Sequence, residues 1–280
     1  MTSAPRHVPV GRIAIAAAVA LGVFMLLRAP GRPIWRSAAP GLEFALLDGG
    51  HWCRRGSANV AVLRLDPERV AVRVHHCLQR EDPRPLDIVG WQRALGAAAV
   101  FNAGQYYPDL SYMGLLVSGG KTLSGRLHPT FQAALVAGPV TGGGGAHVLD
   151  LQRHPLDPVA PGWREVAQSF MLIDEDGSVR VRKSDKVANR TAVAEDRHGH
   201  LLVVVSEGGY TLWDFAEMLQ RLPLEVDHAM SMDGGDEAQL VVRTRDLRYA
   251  SFGRWERDGD EAAAATAGTP LPAVIELSPR

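Results

Sequence analysis

An α+β fold is predicted: mixed or antiparallel sheets with a few packed helices, as a single globular domain behind an N-terminal apolar leader. Three observations predict it. Short apolar stretches recur over residues 44–277 with Gly, Asp or Pro between them, the pattern of strands joined by tight turns. Helical spacing of apolar residues is confined to short segments near residues 88–95 and 211–222. One charge-free run, residues 13–27, stands apart near the N-terminus. The expected division is a leader over residues 1–39 and a globular domain over residues 40–280.

Residues 44–47 read as a first strand, stopped by Asp48-Gly49-Gly50. Val60/Val62 and Val70/Val72/Val74 alternate on either side of Asp66-Pro67-Glu68, which predicts a β-hairpin. Folding it brings the segments carrying Cys53 and Cys77 together, so a disulfide is expected in an oxidising compartment, the alternative being two reduced, buried thiols. Asp87 is placed to cap a short helix with Ile88, Trp91 and Leu95 on one face. Residues 97–101 form a buried strand that runs into Asn102-Ala103-Gly104. Residues 115–118 turn at Gly119-Gly120, and 131–137 give another apolar strand before the glycine run 142–145.

In the second half, Asp174-Glu175-Asp176-Gly177 and Asp196-Arg197-His198-Gly199 each lie between apolar stretches and predict hairpins. Residues 211–222 are the best helix. Leu212, Phe215, Ala216, Leu219 and Leu222 share a face, Thr211 is the N-cap, and Pro223 stops it. Residues 226–232 form a strand leading into Asp233-Gly234-Gly235, with 239–242 pairing back as the next. Residues 262–269 read as a flexible insertion, and 274–277 as a closing strand.

Composition bounds the function. With 46% hydrophobic and 22% charged residues and a net charge of −1, collagen-like, mucin-like and disordered classes are excluded. Residues 1–39 hold five Arg and no Lys, Asp or Glu, so residues 40–280 carry about −6, a poor surface for nucleic acid. The run 13–27, preceded by Arg6 and Arg12 and followed by Arg28, Arg32 and Arg36, suits a secretory signal or a membrane anchor. Ser37-Ala38-Ala39 offers a small-residue cleavage site. The domain is expected to be exported, periplasmic or extracellular, with membrane contact through residues 13–27 if the leader stays uncleaved.

Several motifs fail on spacing. Gly119-Gly120-Lys121-Thr122 lacks the phosphate-loop glycine, since Leu115 stands in its place. The ten histidines form no H-E-x-x-H pair, and Asp174-x-Asp176-x-Ser178 has Val179 where a calcium loop needs glycine. No serine nucleophile elbow occurs. What remains are polar residues at strand ends: Asn102, with small Ala103 and Gly104 leaving room for a ligand, Arg190 behind Asn189, and Asp233 ahead of two glycines.

Taken in chain order, these pieces resemble the phosphodiester glycosidase family. The stretch from Phe101 and Asn102 through Gly104 to Tyr107 is similar to the family's Asn-Gly-Gly-Phe-Phe segment, and 114–121 to its Gly-led strand and turn. Gln168-Ser169-Phe170 looks like its Gln-Ser segment, Arg190-Thr191-Ala192 like its Arg-Thr/Ser-Ala strand, and Met232-Asp233-Gly234-Gly235 like its Asp-Gly-Gly. The chain departs at Tyr106 and Tyr107, where the family has Phe, at Ala103, and at Asp236-Glu237, where it has a small residue and a hydroxyl.

The resemblance implies hydrolysis of a sugar-1-phosphodiester; the failed motif spacings, separately, give no cofactor and no metal site. The resemblance also implies that Arg190 clamps phosphate oxygens and that Asp233 acts as nucleophile or base at the anomeric carbon. Glu237 would supply a second carboxylate. Asn102, Gly104, Gln168, Gly234 and Gly235 would contact the glycan or sugar-phosphate substrate. Two alternatives stay open: a non-catalytic carbohydrate-binding envelope domain, and a glycoside hydrolase acting on exopolysaccharide.

Overall fold

The structure, a computed structural model, describes residues 32–254 and 268–280. The run 13–27 and most of the expected insertion 262–269 lie outside the described residues.

Two sheets carry the fold. The larger follows the order β1 (Arg36–Ala39), β2 (Leu42–Asp48), β3 (Asn59–Leu65), β12 (Leu201–Ser206), β11 (Thr191–Asp196), β13 (Val226–Ser231), β10 (Trp163–Ile173), β6 (Leu116–Ser118) and β7 (Lys121–Ser124). Strand β8 (Ala133–Pro139) joins it beside β10 and carries β9 (Ala146–Asp150). The smaller sheet runs β15 (Arg248–Phe252), β14 (Gln239–Arg243), β5 (Ala99–Asn102), β16 (Ala273–Pro279) and β4 (Val70–His76). Every named strand pair is antiparallel, which narrows the expected mixed or antiparallel arrangement.

Strand β12 explains the layering. All of its residues are buried, and successive side chains must point to opposite faces. Leu201, Val203 and Val205 therefore enter a central core with Phe101, Leu240 and Ile275 of the smaller sheet. Leu202 and Val204 enter an outer core beneath helix α2 (Leu212–Arg221), with Phe215, Ala216 and Leu219. Helix α1 (Ile88–Leu95) covers the far face of the smaller sheet through Ile88 and Trp91, against Val100, Val241 and Val274. The result is a helix–sheet–sheet–helix stack.

Both helices start where capping chemistry allows. Asp87 accepts the Gly90 amide at 2.6 Å, and Gly96 ends α1 in the left-handed region at φ 62°. Thr211 accepts the Asp214 amide at 3.0 Å, and Arg54 grips the Asp214 carboxylate at 2.8 Å.

Two expected hairpins are sheet-to-sheet crossovers. Strands β3 and β4 both exist, but β3 pairs with β2 and β12 while β4 pairs with β16. Leu63 and Leu65 on one side of the turn and Val70 and Val72 on the other face the same central core from opposite sheets. Likewise β14 does not pair back onto β13. It pairs with β5 and β15 in the other sheet, so residues 232–238 carry the chain across. The disulfide is lost for the same reason. Cys53 packs against the outer core under α2, Cys77 lies in the core under α1, and both thiols are free. At the N-terminal side, Ser37-Ala38-Ala39 lies in β1 paired with β2, with Ala38 buried. Among the described residues, no helix is long and apolar enough to cross a membrane.

Candidate active site

The second crossover places the site. Strand β13 ends at Ser231, Met232 still bonds back to Thr191, and Asp233 then leaves the larger sheet to donate its amide to the Ala103 carbonyl at 3.2 Å. Residue 103 follows β5, where the chain makes another crossing, from the smaller sheet towards β6. Two crossings therefore lie side by side, and polar side chains from both sheets meet there.

Arg190 precedes β11 and is buried. Its Nε donates to the Tyr210 carbonyl at 2.9 Å and its Nη2 to the Lys186 carbonyl at 2.7 Å. Burial pushes its pKa down to about 10, partly offset by the facing charge of Asp233. Nε and one N–H of Nη2 are engaged, which leaves the two N–H groups of Nη1 and the second N–H of Nη2 for a phosphate. Nη1 borders Gly234: a Cβ there would lie 3.2 Å from Nη1 and 2.9 Å from the Asn189 carbonyl. Gly234 is required by this close approach, and Gly235 by its φ of 80°.

Asp233 is half-buried, and one carboxylate oxygen accepts the Gly234 amide at 2.9 Å. Burial and the charge of Glu237 raise its pKa to about 6, against opposing effects of the Gly234 amide, the Gln105 side chain and Lys186. Glu237 sits on the three-residue 3-10 turn Gly235–Glu237, where the Tyr106 hydroxyl donates to it at 3.3 Å. The predicted residues Arg190, Asp233, Gly234, Gly235 and Glu237 are thus brought together.

The remaining three are close by but face inward. Asn102 accepts from Thr191 Oγ1 at 2.8 Å and the Gln239 amide at 3.2 Å, and donates to the carbonyls of Ala103 and Asp233, both at 3.0 Å. Its amide has no valence left for a sugar hydroxyl. It joins the two sheets and fixes the Asp233 backbone instead. Gln168 likewise accepts the amides of Leu115 and His128 and donates to the carbonyls of His128 and Phe131, holding loops rather than a ligand. Gly104 has its amide on the Tyr112 hydroxyl at 3.0 Å, and a Cβ would fall 2.4 Å from that oxygen.

Sequence reasoning assigned no role to Gln105, Tyr106 and Lys186. Gln105 bonds the Asp233 side chain and accepts the Ser169 hydroxyl at 3.4 Å. The signal available was adjacency, since both Gln105 and Tyr106 follow Gly104 directly. Lys186 belongs to a charged run, 182–186, with the composition of any solvated loop.

The cluster is open to solvent on the Gly234–Glu237 side, where these residues are half-buried or exposed. Two cavities lie elsewhere, one of about 510 Å³ beside α1 with His75, Arg80 and Trp91, the other of about 330 Å³ with Asp176 and Asp227. Neither includes Arg190 or Asp233. Among the described residues, no group of three or more His, Cys, Asp or Glu side chains is arranged to hold a metal.

The class so defined is a two-sheet antiparallel scaffold with a carboxyl–guanidinium site where the chain crosses between sheets. A family model described as phosphodiester glycosidase matches residues 95–267. The chain belongs to the phosphodiester glycosidase family. Its fold is similar to the catalytic domain of zebrafish N-acetylglucosamine-1-phosphodiester alpha-N-acetylglucosaminidase, a structure described as auto-inhibited by its pro-peptide. The TM-score is 0.61 at 17% identity, covering 90% of this chain and 87% of that one. A hypothetical protein from Synechocystis is similar at a TM-score of 0.55 and 14% identity, covering 86% of this chain and 62% of that one. No curated protein matches the sequence.

Proposed function

We propose that this protein hydrolyses the bond between the anomeric carbon of a sugar and phosphate in a sugar-1-phosphodiester, outside the cytoplasm. The observation that supports this reading best is the approach of Asp233 and Arg190 at one crossover, with Glu237 beside them. The apolar run 13–27 with its flanking arginines supports export.

Arg190 offers Nη1 to a non-bridging phosphate oxygen, and Lys186 at the rim adds a second positive charge. Phosphate is a good leaving group, so neutralising its charge matters more than protonating it. Asp233, once ionised, faces the anomeric carbon as base. It takes a proton from the attacking water, the new C–O bond forms, and the sugar–phosphate C–O bond breaks with its electrons leaving on the phosphomonoester. Gly234 and Gly235 leave space for the sugar ring. Asn102 holds the Asp233 backbone, which keeps the base aimed. The pairing of Asp233 with Glu237 also favours a second reading, hydrolysis of a neutral glycan by two carboxyl groups.

Asp233→Asn and Arg190→Lys in the full chain test the proposal on a panel of sugar-1-phosphodiesters and neutral glycans. Asp233→Asn is expected to lower turnover by at least about 10²-fold. Wild-type turnover is expected to rise as pH passes through about 6, where Asp233 ionises. Arg190→Ala is a poor probe, because removing the guanidinium strands the carbonyls of Tyr210 and Lys186 and perturbs folding as well. Release of sugar only from neutral glycans would select the second reading. Glycan binding with no product from any substrate would replace both with a non-catalytic role.

A further inference from the structure

Residues 105–113, which follow β5 and Gly104, fold back on themselves as a small hairpin. Tyr106 bridges Tyr112, the Tyr107 amide donates to the Ser111 carbonyl at 2.8 Å, and the Met113 amide to the Gln105 carbonyl at 2.9 Å. The base is fixed by the Tyr112 hydroxyl, which donates to the Gln168 carbonyl at 2.9 Å. The tip is fixed by the His76 ring, 3.0 Å from the carbonyl of Leu110, a residue held at φ 69°. On this platform two adjacent tyrosines have different fates. Tyr107 is 45% exposed, whereas Tyr106 is half-buried with its hydroxyl 3.3 Å from Glu237 Oε1.

We infer that Tyr106 is a positioning residue: its hydroxyl anchors the Glu237 carboxylate at the crossover, so that a fixed negative charge faces Asp233. The inference rests on the reading of Asp233 as the proton-handling group of the site. Around Asp233, Arg190 ahead of β11 and Lys186 in the preceding loop favour its charged form, as do the Gly234 amide and Gln105. Glu237 alone among these side chains opposes it, together with burial. Tyr106 and Tyr112, both pushed up by burial (Tyr106 to about 12), remain protonated donors near neutral pH.

Glu237 lies on a short turn with water on one side. Without its anchor, the side chain regains rotamer freedom and its carboxylate moves outward, where water weakens its effect on Asp233. Anchored, it keeps the proton on Asp233 to higher pH. Tyr106 thereby sets the pH at which the site passes from holding a proton to accepting one, without itself exchanging a proton.

Carbon-13 titration of the Asp233 carboxyl in the full chain reads this directly, with the pH–rate profile as a second readout. Tyr106→Phe keeps the ring and removes the anchor, and is expected to lower the Asp233 midpoint by about half a pH unit or more. Glu237→Gln is expected to lower it at least as far, and the double variant no further than Glu237→Gln alone. Tyr107→Phe is expected to leave it in place. A midpoint unmoved in Tyr106→Phe, or in Glu237→Gln, overturns the inference even if phosphodiesters are turned over. The expected shifts without turnover of any substrate uphold it and remove the hydrolase reading instead.

Discussion

At one end of β11 and β13, Glu195 accepts the Val148 amide at 2.7 Å and lies between His147 and His228, at 3.4 and 3.7 Å. His228 also meets Asp227 at 2.9 Å and the Val148 carbonyl at 2.7 Å. Burial works against the charge on both Glu195 and His228, yet their partners outweigh it, taking Glu195 down to about 2 and His228 up to about 9. At the opposite end of the same strands the balance is reversed. Burial prevails over pairing, Asp233 rises to about 6 and Arg190 falls to about 10. Comparable burial thus yields locked charges where partners complete the shell, and labile ones where a side stays open to solvent.

The largest expected effect falls at the locked end. Glu195→Gln leaves His228 buried without its main counter-charge and is expected to cost about 3 kcal/mol in urea unfolding near pH 6. Turnover is expected to survive; its loss would mean that the two ends act as one unit. The sign with pH follows from the shifts. The Glu195 contribution is complete above its ordinary 4.5 and is lost as pH falls through about 2. That of His228 is complete below 6.5 and is lost as pH rises through about 9. Stability from this end is therefore greatest between 4.5 and 6.5, and Glu195→Gln is expected to flatten that maximum.

A smaller effect is expected from Asn102→Ala, about 2 kcal/mol, because it strands the Thr191 hydroxyl, the Gln239 amide and the Asp233 carbonyl. Here turnover is expected to fall with stability, since the same amide holds the backbone of Asp233, the proposed base. Asp233→Asn gives a change of the opposite sign. The folded pKa of Asp233 lies above its ordinary 3.8, so ionisation imposes a penalty that grows from there and is complete above about 6. Removing the charge is expected to raise stability by up to about 3 kcal/mol at pH 8 and by nothing near pH 3. A loss at pH 8 would place Asp233 among the locked charges.

Strands were legible because alternation is a local property: residues 60–65, 70–74 and 201–205 declare themselves without any knowledge of partners. Sheet membership was not. A chain that arches from one sheet to the facing one keeps the same side chains pointing at the same core as a hairpin does, so 66–69 and 232–238 carry no local mark of crossing. The cysteine pairing failed with the first of these arches. Arg190, Asp233 and Glu237 were legible as charged residues near strand ends and glycines. The inward roles of Asn102 and Gln168 were not, because an amide that clamps backbone and one that grips a sugar are the same residue type. Tyr106 and Lys186 depend on where the loops 105–113 and 182–189 travel, which no periodicity encodes.

Strand β16, latest in the chain of all those described, occupies an interior place in its sheet, with β5 on one flank and β4 on the other. During vectorial synthesis β4 (ending at His76) and β5 (ending at Asn102) emerge long before the strand that unites them, which begins at Ala273. Asn102 lies directly across from Val274 in that pairing, so its latch on Asp233 waits for the same event. A nascent chain halted short of residue 273 would hold every proposed reactive group yet lack the strand that seats them, and the proposed site would be completed abruptly when β16 docks.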